Sequence, residues 1–313
     1  MKQMQIQVKP PKKKGYVRRR LKESWQWYVL LLPGLIYLII FDYGPMYGVQ
    51  IAFKDYRTSL GITGSEWVGL KHFKYFIFQY PYFTKVLTNT LKVSLLSLST
   101  FPIPVIFAIM LNEMKNQKLK KVCQMITYAP HFVSTVVVCS MVILFANSEG
   151  LFNIIAGFFG AEARDFMAMP SAFAPIYVLS GLWSGLGWGT IIYMATLAGV
   201  SPELIEAARI DGAGRVKVIW HVQLPHLLPT IVTMFILRMG SLLSVGFEKT
   251  FLLQNDLNMD ASSVISTYVY EVGMITHQYS YSAAIGLFNN IINIILIVTV
   301  NKISNKVANI GLW

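Results

Sequence analysis

Long uncharged stretches recur along this chain, separated by shorter polar ones. Apolar positions dominate about 25–48, 86–112, 123–146, 172–199, 227–247 and 282–302. Each run supplies the roughly 20 helical residues needed to cross about 30 Å of hydrocarbon. The pattern predicts an all-α integral membrane protein with six transmembrane helices. Pro33, Gly34 and Asp42 interrupt the first run. A cleaved signal peptide competes for that run, but no small-residue cleavage site follows it, so a retained anchor is expected. Pro102 and Pro104 should kink the second span, since each removes a backbone donor and crowds the preceding turn. The chain thus divides into a basic tail, residues 1–24, and a transmembrane domain, 25–313.

The loop 200–226 departs from both patterns. Ser201 suits an N-cap, Pro202 the first helical position and Glu203 a first turn where the helix dipole favours an anion. A short helix is predicted from Pro202 to about Asp211, ended by Gly212. Beyond Gly214, Val216, Ile219, Trp220, Leu224 and Leu227 recur at helical spacing, which predicts a second amphipathic helix entering the fifth span past Pro225. Two short helices meet at a glycine corner.

Charge sets the sidedness. The 313 residues are 54% hydrophobic and 13% charged, with a formal net charge of +12. In a soluble protein that excess would point to nucleic acid; here lipid topology explains it, and no nucleic-acid partner is expected. Residues 1–24, 113–121, 200–226 and 302–313 together hold 18 Lys and Arg, against 7 in 49–85, 147–171 and 248–281. Positive loops stay in the cytoplasm, so both termini and the 200–226 loop are expected on the cytoplasmic side of the cell membrane. The basic tail would also lie against anionic lipid head groups.

Catalytic and metal chemistry find no support. The five histidines have no metal-ligand spacing, no phosphate-binding loop occurs, and Cys123 and Cys139 form no C-x-x-C pair. No catalytic residue and no metal site is expected.

The 200–226 loop resembles a known family. "EAARIDG" at 206–212 followed by "VQLP" at 222–225 looks like the EAA loop of permease subunits of binding-protein-dependent ABC importers. Val222 replaces the usual isoleucine. "WVGLKHF" at 67–73, "GFEKTFLLQN" at 246–255, "STYVY" at 266–270, "SAAIGLFNN" at 282–290 and Trp313 further resemble the carbohydrate branch, in particular its complex-polysaccharide subgroup. The resemblance implies a type I importer permease fold whose cytoplasmic coupling helix docks in a groove of an ATPase subunit. It implies that Glu206, Ala207, Ala208, Asp211, Gly212, Leu224 and Pro225 carry the coupling. Two ATPase subunits would bind ATP and magnesium, this chain holding no cofactor itself. A homologous second permease would complete the pathway, and an extracytoplasmic solute-binding protein would deliver an oligosaccharide. Charge at Glu206 and Asp211, small side chains at Ala207 and Ala208, and glycine freedom at Gly212 and Gly214 suit such docking better than a helix lying on lipid.

A few polar and aromatic residues within the spans are pathway candidates. Arg238 lies about eleven residues, roughly 16 Å, into the fifth span, where an ionisable side chain either serves cargo or neutralises a carboxylate. Asn289 and Asn293 stand one turn apart on the sixth span, placed to hydrogen-bond sugar hydroxyls or a neighbouring helix. Trp183 and Trp188 are placed to stack on sugar rings or to pack, and Gly181, Gly185 and Gly189 form a small-residue stripe expected to pack closely. A self-contained secondary transporter or channel is the alternative, but the spans show neither ion-coupling carboxylates nor an internal repeat.

Overall fold

The computed structural model describes residues 24–313, so nearly all of the basic tail lies outside the described residues. Seven helices frame the rest: α1 (Trp25–Phe53), α2 (Phe83–Asn112), α3 (Thr135–Ala146), α4 (Pro170–Ala198), α5 (Pro202–Ile210), α6 (Arg215–Met239) and α7 (Tyr279–Ala308). A two-residue antiparallel ladder, β1 (Lys54–Asp55) with β2 (Glu66–Trp67), follows α1.

α1 is apolar on every side and buries nothing before its last turns. Only Tyr47–Phe53 packs on the bundle, against α7. Where a kink is expected, α2 is interrupted at Thr100–Phe101, directly before Pro102, and continues as one span.

The third span is not the continuous helix 123–146 that hydropathy predicts. An amphipathic helix, Gln117–Tyr128, runs into a tight turn at Ala129–Phe132, and α3 begins only at Thr135. Pro130 has no N–H to continue the ladder, and the Ser134 hydroxyl accepts from the Val137 amide to start the new helix. Both halves still lie along α4. Gly187 sits against the Thr127 backbone, where a Cβ would collide, while Val138, Cys139 and Val142 pack around Phe173.

The fifth span also differs from its predicted 227–247. The second coupling helix and the span are one helix, α6, which starts at Arg215 and stops at Met239. Wider π-type turns at Ile219–Gln223 stand immediately before Pro225, relieving the clash its ring would make with the preceding turn. The span ends where Gly240 crosses α7: a Cβ there would lie 2.7 Å from Ile297. The chain then turns into a short helix, Phe247–Leu253.

Two packed regions tie the spans together. Val105, Ala108, Tyr193, Leu197 and Leu227 join α2, α4 and α6 near the α5 end. Val93, Val138, Cys139, Phe173, Val245 and Leu253 join α2, α3, α4 and the Phe247–Leu253 helix further along.

Candidate functional site

α5 leaves α4 at a bend of 72° and presents a largely exposed surface. Pro202 opens it as expected, but the Ser201 hydroxyl makes no capping bond. Its end is a glycine corner. Gly212 adopts φ +79°, the Asp211 amide donates to Ala207 O at 3.0 Å, and the Ala213 amide donates to Ala208 O at 2.9 Å. That backbone conformation suits glycine because a Cβ would crowd it. Glu206, Ala207, Asp211 and Gly212 are exposed and Ala208 is half-buried. Beside them Leu204, Ile210 and Trp220 turn more than half of their surface outward, Ile210 86% of it. Leu224 and Pro225 lie at the root, within α6. Next to them Gln223, only 2% exposed, donates from Nε2 to Glu113 Oε1 at 2.7 Å. Sequence reasoning missed this pair because no local pattern links residues 110 apart.

A cavity of about 600 Å³ opens between α2, α4, α6 and the Phe247–Leu253 helix. Ser97, Thr100, Tyr177 and Ser241 supply hydroxyls to its wall, and Arg238 and Lys249 supply charge. Lys249 donates to Tyr177 O at 2.6 Å, with its ammonium 4.6 Å from the Tyr177 ring centre. No carboxylate lines the cavity, and among the described residues none lies within 4.0 Å of either cation. Two positive charges therefore share a largely apolar cavity dotted with hydroxyls, without a counter-ion among the described residues. The glycine stripe of α4 faces this cavity instead of packing: Gly181 makes room for Lys249, Gly185 has nothing within 4 Å, and only Gly189 touches α2, at Pro104. The glycine that packs is Gly187, on another face of α4.

The sequence pattern defining the inner-membrane component of binding-protein-dependent transport systems matches residues 100–309, from the α2 break to the end of α7. The chain belongs to that family. This permease is 41% identical to the polygalacturonan/rhamnogalacturonan transport system permease YteP of Bacillus subtilis, over 97% of this chain and 95% of the relative. It is 43% identical to LplB of the same organism, over 93% of this chain and 92% of the relative. Among solved structures it resembles a chain of a bacterial alginate ABC transporter in complex with an alginate pentasaccharide-bound periplasmic protein. The TM-score is 0.86 at 34% identity, covering 96% of this chain and all of that one. The fold is therefore that of a type I importer permease. The chain is a transport subunit and not an enzyme, and a self-contained secondary transporter is set aside.

The other pathway candidates of the permease lie apart from the cation cavity. Asn293 is 4% exposed; its Oδ1 accepts from the Leu243 amide at 3.1 Å and its Nδ2 donates to Ser244 Oγ at 3.0 Å, holding the turn after α6. Asn289 has a buried Oδ1 with no partner among the described residues and lines a separate cavity of about 710 Å³ with Ser266, Tyr270 and Asn290. Trp183 borders an apolar recess with Phe145 and Phe152. Trp188 stacks on His131, ring centres 4.5 Å apart. Of the five, only Arg238 reaches the cavity; Lys249 and Tyr177 carry no sequence signal that would place them there. Lys249 follows Glu248 and precedes Thr250 in "GFEKTFLL", so nothing in its local sequence sets it apart from an ordinary loop charge.

Proposed function

We propose that this permease lines half of an import pathway for an oligosaccharide bearing carboxylate groups, and that Arg238 and Lys249 receive those groups in the central cavity. The observation that carries the reading is the pair of cations with no carboxylate beside them among the described residues, in a cavity whose wall also carries hydroxyls. An uncompensated charge at membrane depth is costly unless water or a counter-ion reaches it, so its position marks a pathway. Polygalacturonan and alginate, named for two of the similar proteins, are both chains of uronic acids.

The partners follow from the same reading. A homologous second permease closes the cavity, an extracytoplasmic solute-binding protein delivers the glycan, and two cytoplasmic ATPase subunits bind ATP and magnesium. The α5 corner, with Glu206, Ala207, Ala208, Asp211 and Gly212, seats in a groove of an ATPase subunit, its exposed Leu204 and Ile210 supplying apolar contact. Leu224 and Pro225 pass the movement into α6. Both termini then lie in the cytoplasm, and Asn293 serves to hold the α6–α7 contact.

Uptake of trigalacturonate and of its neutral methyl ester by the assembled importer tests the proposal. Arg238→Gln and Lys249→Gln should each lower uptake of the acid about tenfold, the effect of roughly 1.4 kcal/mol, with normal complex yield. Unchanged uptake in both variants would refute it.

A further inference from the structure

A second polar cavity, of about 600 Å³, lies at the opposite end of the fold from α5. One wall is the arm Asp55–Arg57 that leads out of β1, the other the turn His277–Tyr281 that leads into α7, and the helix from Lys71 closes the floor. The walls are locked together: the Tyr56 amide donates to Ser280 Oγ at 2.8 Å, and the Tyr56 and Tyr279 rings meet edge to face. His277 holds a left-handed φ of +56°, unusual for a residue with a Cβ, and the Gln278 amide anchors that turn to Val272 O at 2.9 Å. Strain of this kind persists only where the surrounding structure enforces it, and it concentrates where ligands bind. The cleft is thus preformed.

Its charge is also arranged. Asp55 is the single carboxylate in the lining, and it is already engaged by Lys71 at 2.7 Å and by His72 at 3.1 Å. The Lys71 hydrogen bond holds the Asp55 carboxyl below its usual range, so it stays ionised and matched. Arg57 and Lys74 remain, with no carboxylate within 4.0 Å among the described residues. Tyr279 belongs to this lining and also to that of the 710 Å³ cavity that reaches Asn289, so the two cavities share a wall at Tyr279.

We infer that this cleft is a reception site for a carboxylate-bearing sugar unit, with Arg57 and Lys74 pairing the carboxylate and Tyr56 and Tyr279 bordering the ring. The inference rests on the acidic-glycan reading above. A concave, strongly polar cleft with tyrosine walls suits a small polar ligand, whereas docked proteins meet on broader surfaces. Two charge-assisted contacts at an open site correspond to about a tenfold change in affinity.

The test uses the complete importer in nanodiscs, without solute-binding protein, and calorimetric titration with trigalacturonate and its methyl ester. The double variant R57Q/K74Q should bind trigalacturonate about tenfold more weakly and the ester unchanged, while R57K/K74R keeps wild-type affinity and shows that charge, not folding, is responsible. Equal weakening for both glycans, or none, overturns the inference. So does a loss confined to affinity for the solute-binding protein, which would make the cleft a protein dock. Cellular uptake separates the two readings: undiminished trigalacturonate import in R57Q/K74Q sinks the cleft alone. A wild-type importer that takes only the neutral ester sinks the acidic-substrate reading and the cleft together.

Discussion

Gln223 and Glu113 join the root of the coupling loop to the end of α2 through one hydrogen bond of 2.7 Å between side chains 110 residues apart. Gln223 is buried, and its own Oε1 has no partner among the described residues. The bond therefore holds a polar group that has little else to satisfy it. Glu113→Ala should cost about 1–3 kcal/mol, the penalty for stranding a buried amide. Adding Gln223→Leu should recover most of that loss. Thermal unfolding of the purified complex, run as a double-mutant cycle, checks it; additive losses would show that the pair does not interact.

The corner at Gly212 is exposed and a Cβ there would meet nothing within 4 Å, so the strain of replacing it falls on the corner itself and should be felt in coupling. Gly212→Val places a β-branched side chain at a positive φ, and Glu206→Lys reverses a charge on the presented face. Both variants should insert and assemble normally yet lose transport-stimulated ATP hydrolysis. Stimulation at the wild-type level in both would count against docking by α5.

Two glycines of α4, two residues apart, should respond in opposite ways. A Cβ at Gly187 meets the Thr127 backbone, which cannot yield as a flexible side chain would, so Gly187→Ala should cost at least the 1–3 kcal/mol typical of overpacking and lower the yield of folded protein. Gly185 faces open space, and Gly185→Ala should leave stability unchanged. Because its methyl projects into the cavity, Gly185→Leu should reduce uptake without loss of yield.

Cysteines at Thr58, Glu162 and Asp256, all exposed, should react with an impermeant thiol reagent in intact cells. One at Gln117 should react only after the membrane is opened. Labelling of Gln117→Cys from outside would invert the topology.

The sequence by itself determined the membrane class, a set of five to six apolar crossings, and the α5 corner down to Gly212, because these are local properties. Hydropathy is summed along one segment, helix capping acts within a turn, and a left-handed glycine is dictated by its own dihedral angles. Tertiary structure decided which faces meet. Whether a glycine stripe packs or lines a cavity depends on what lies opposite: Lys249 and Pro104 stand across from Gly181 and Gly189, and the Thr127 backbone stands across from Gly187. The break at Ala129–Ser134 was masked by its apolar neighbours, and the early end of α6 follows from the approach of Gly240 to Ile297 on another helix. Lys249 read as an ordinary loop charge until the fold set it beside Tyr177, 72 positions earlier, and in one cavity with Arg238. Such pairings depend on how separate helices cross, and spacing along the chain does not encode that crossing.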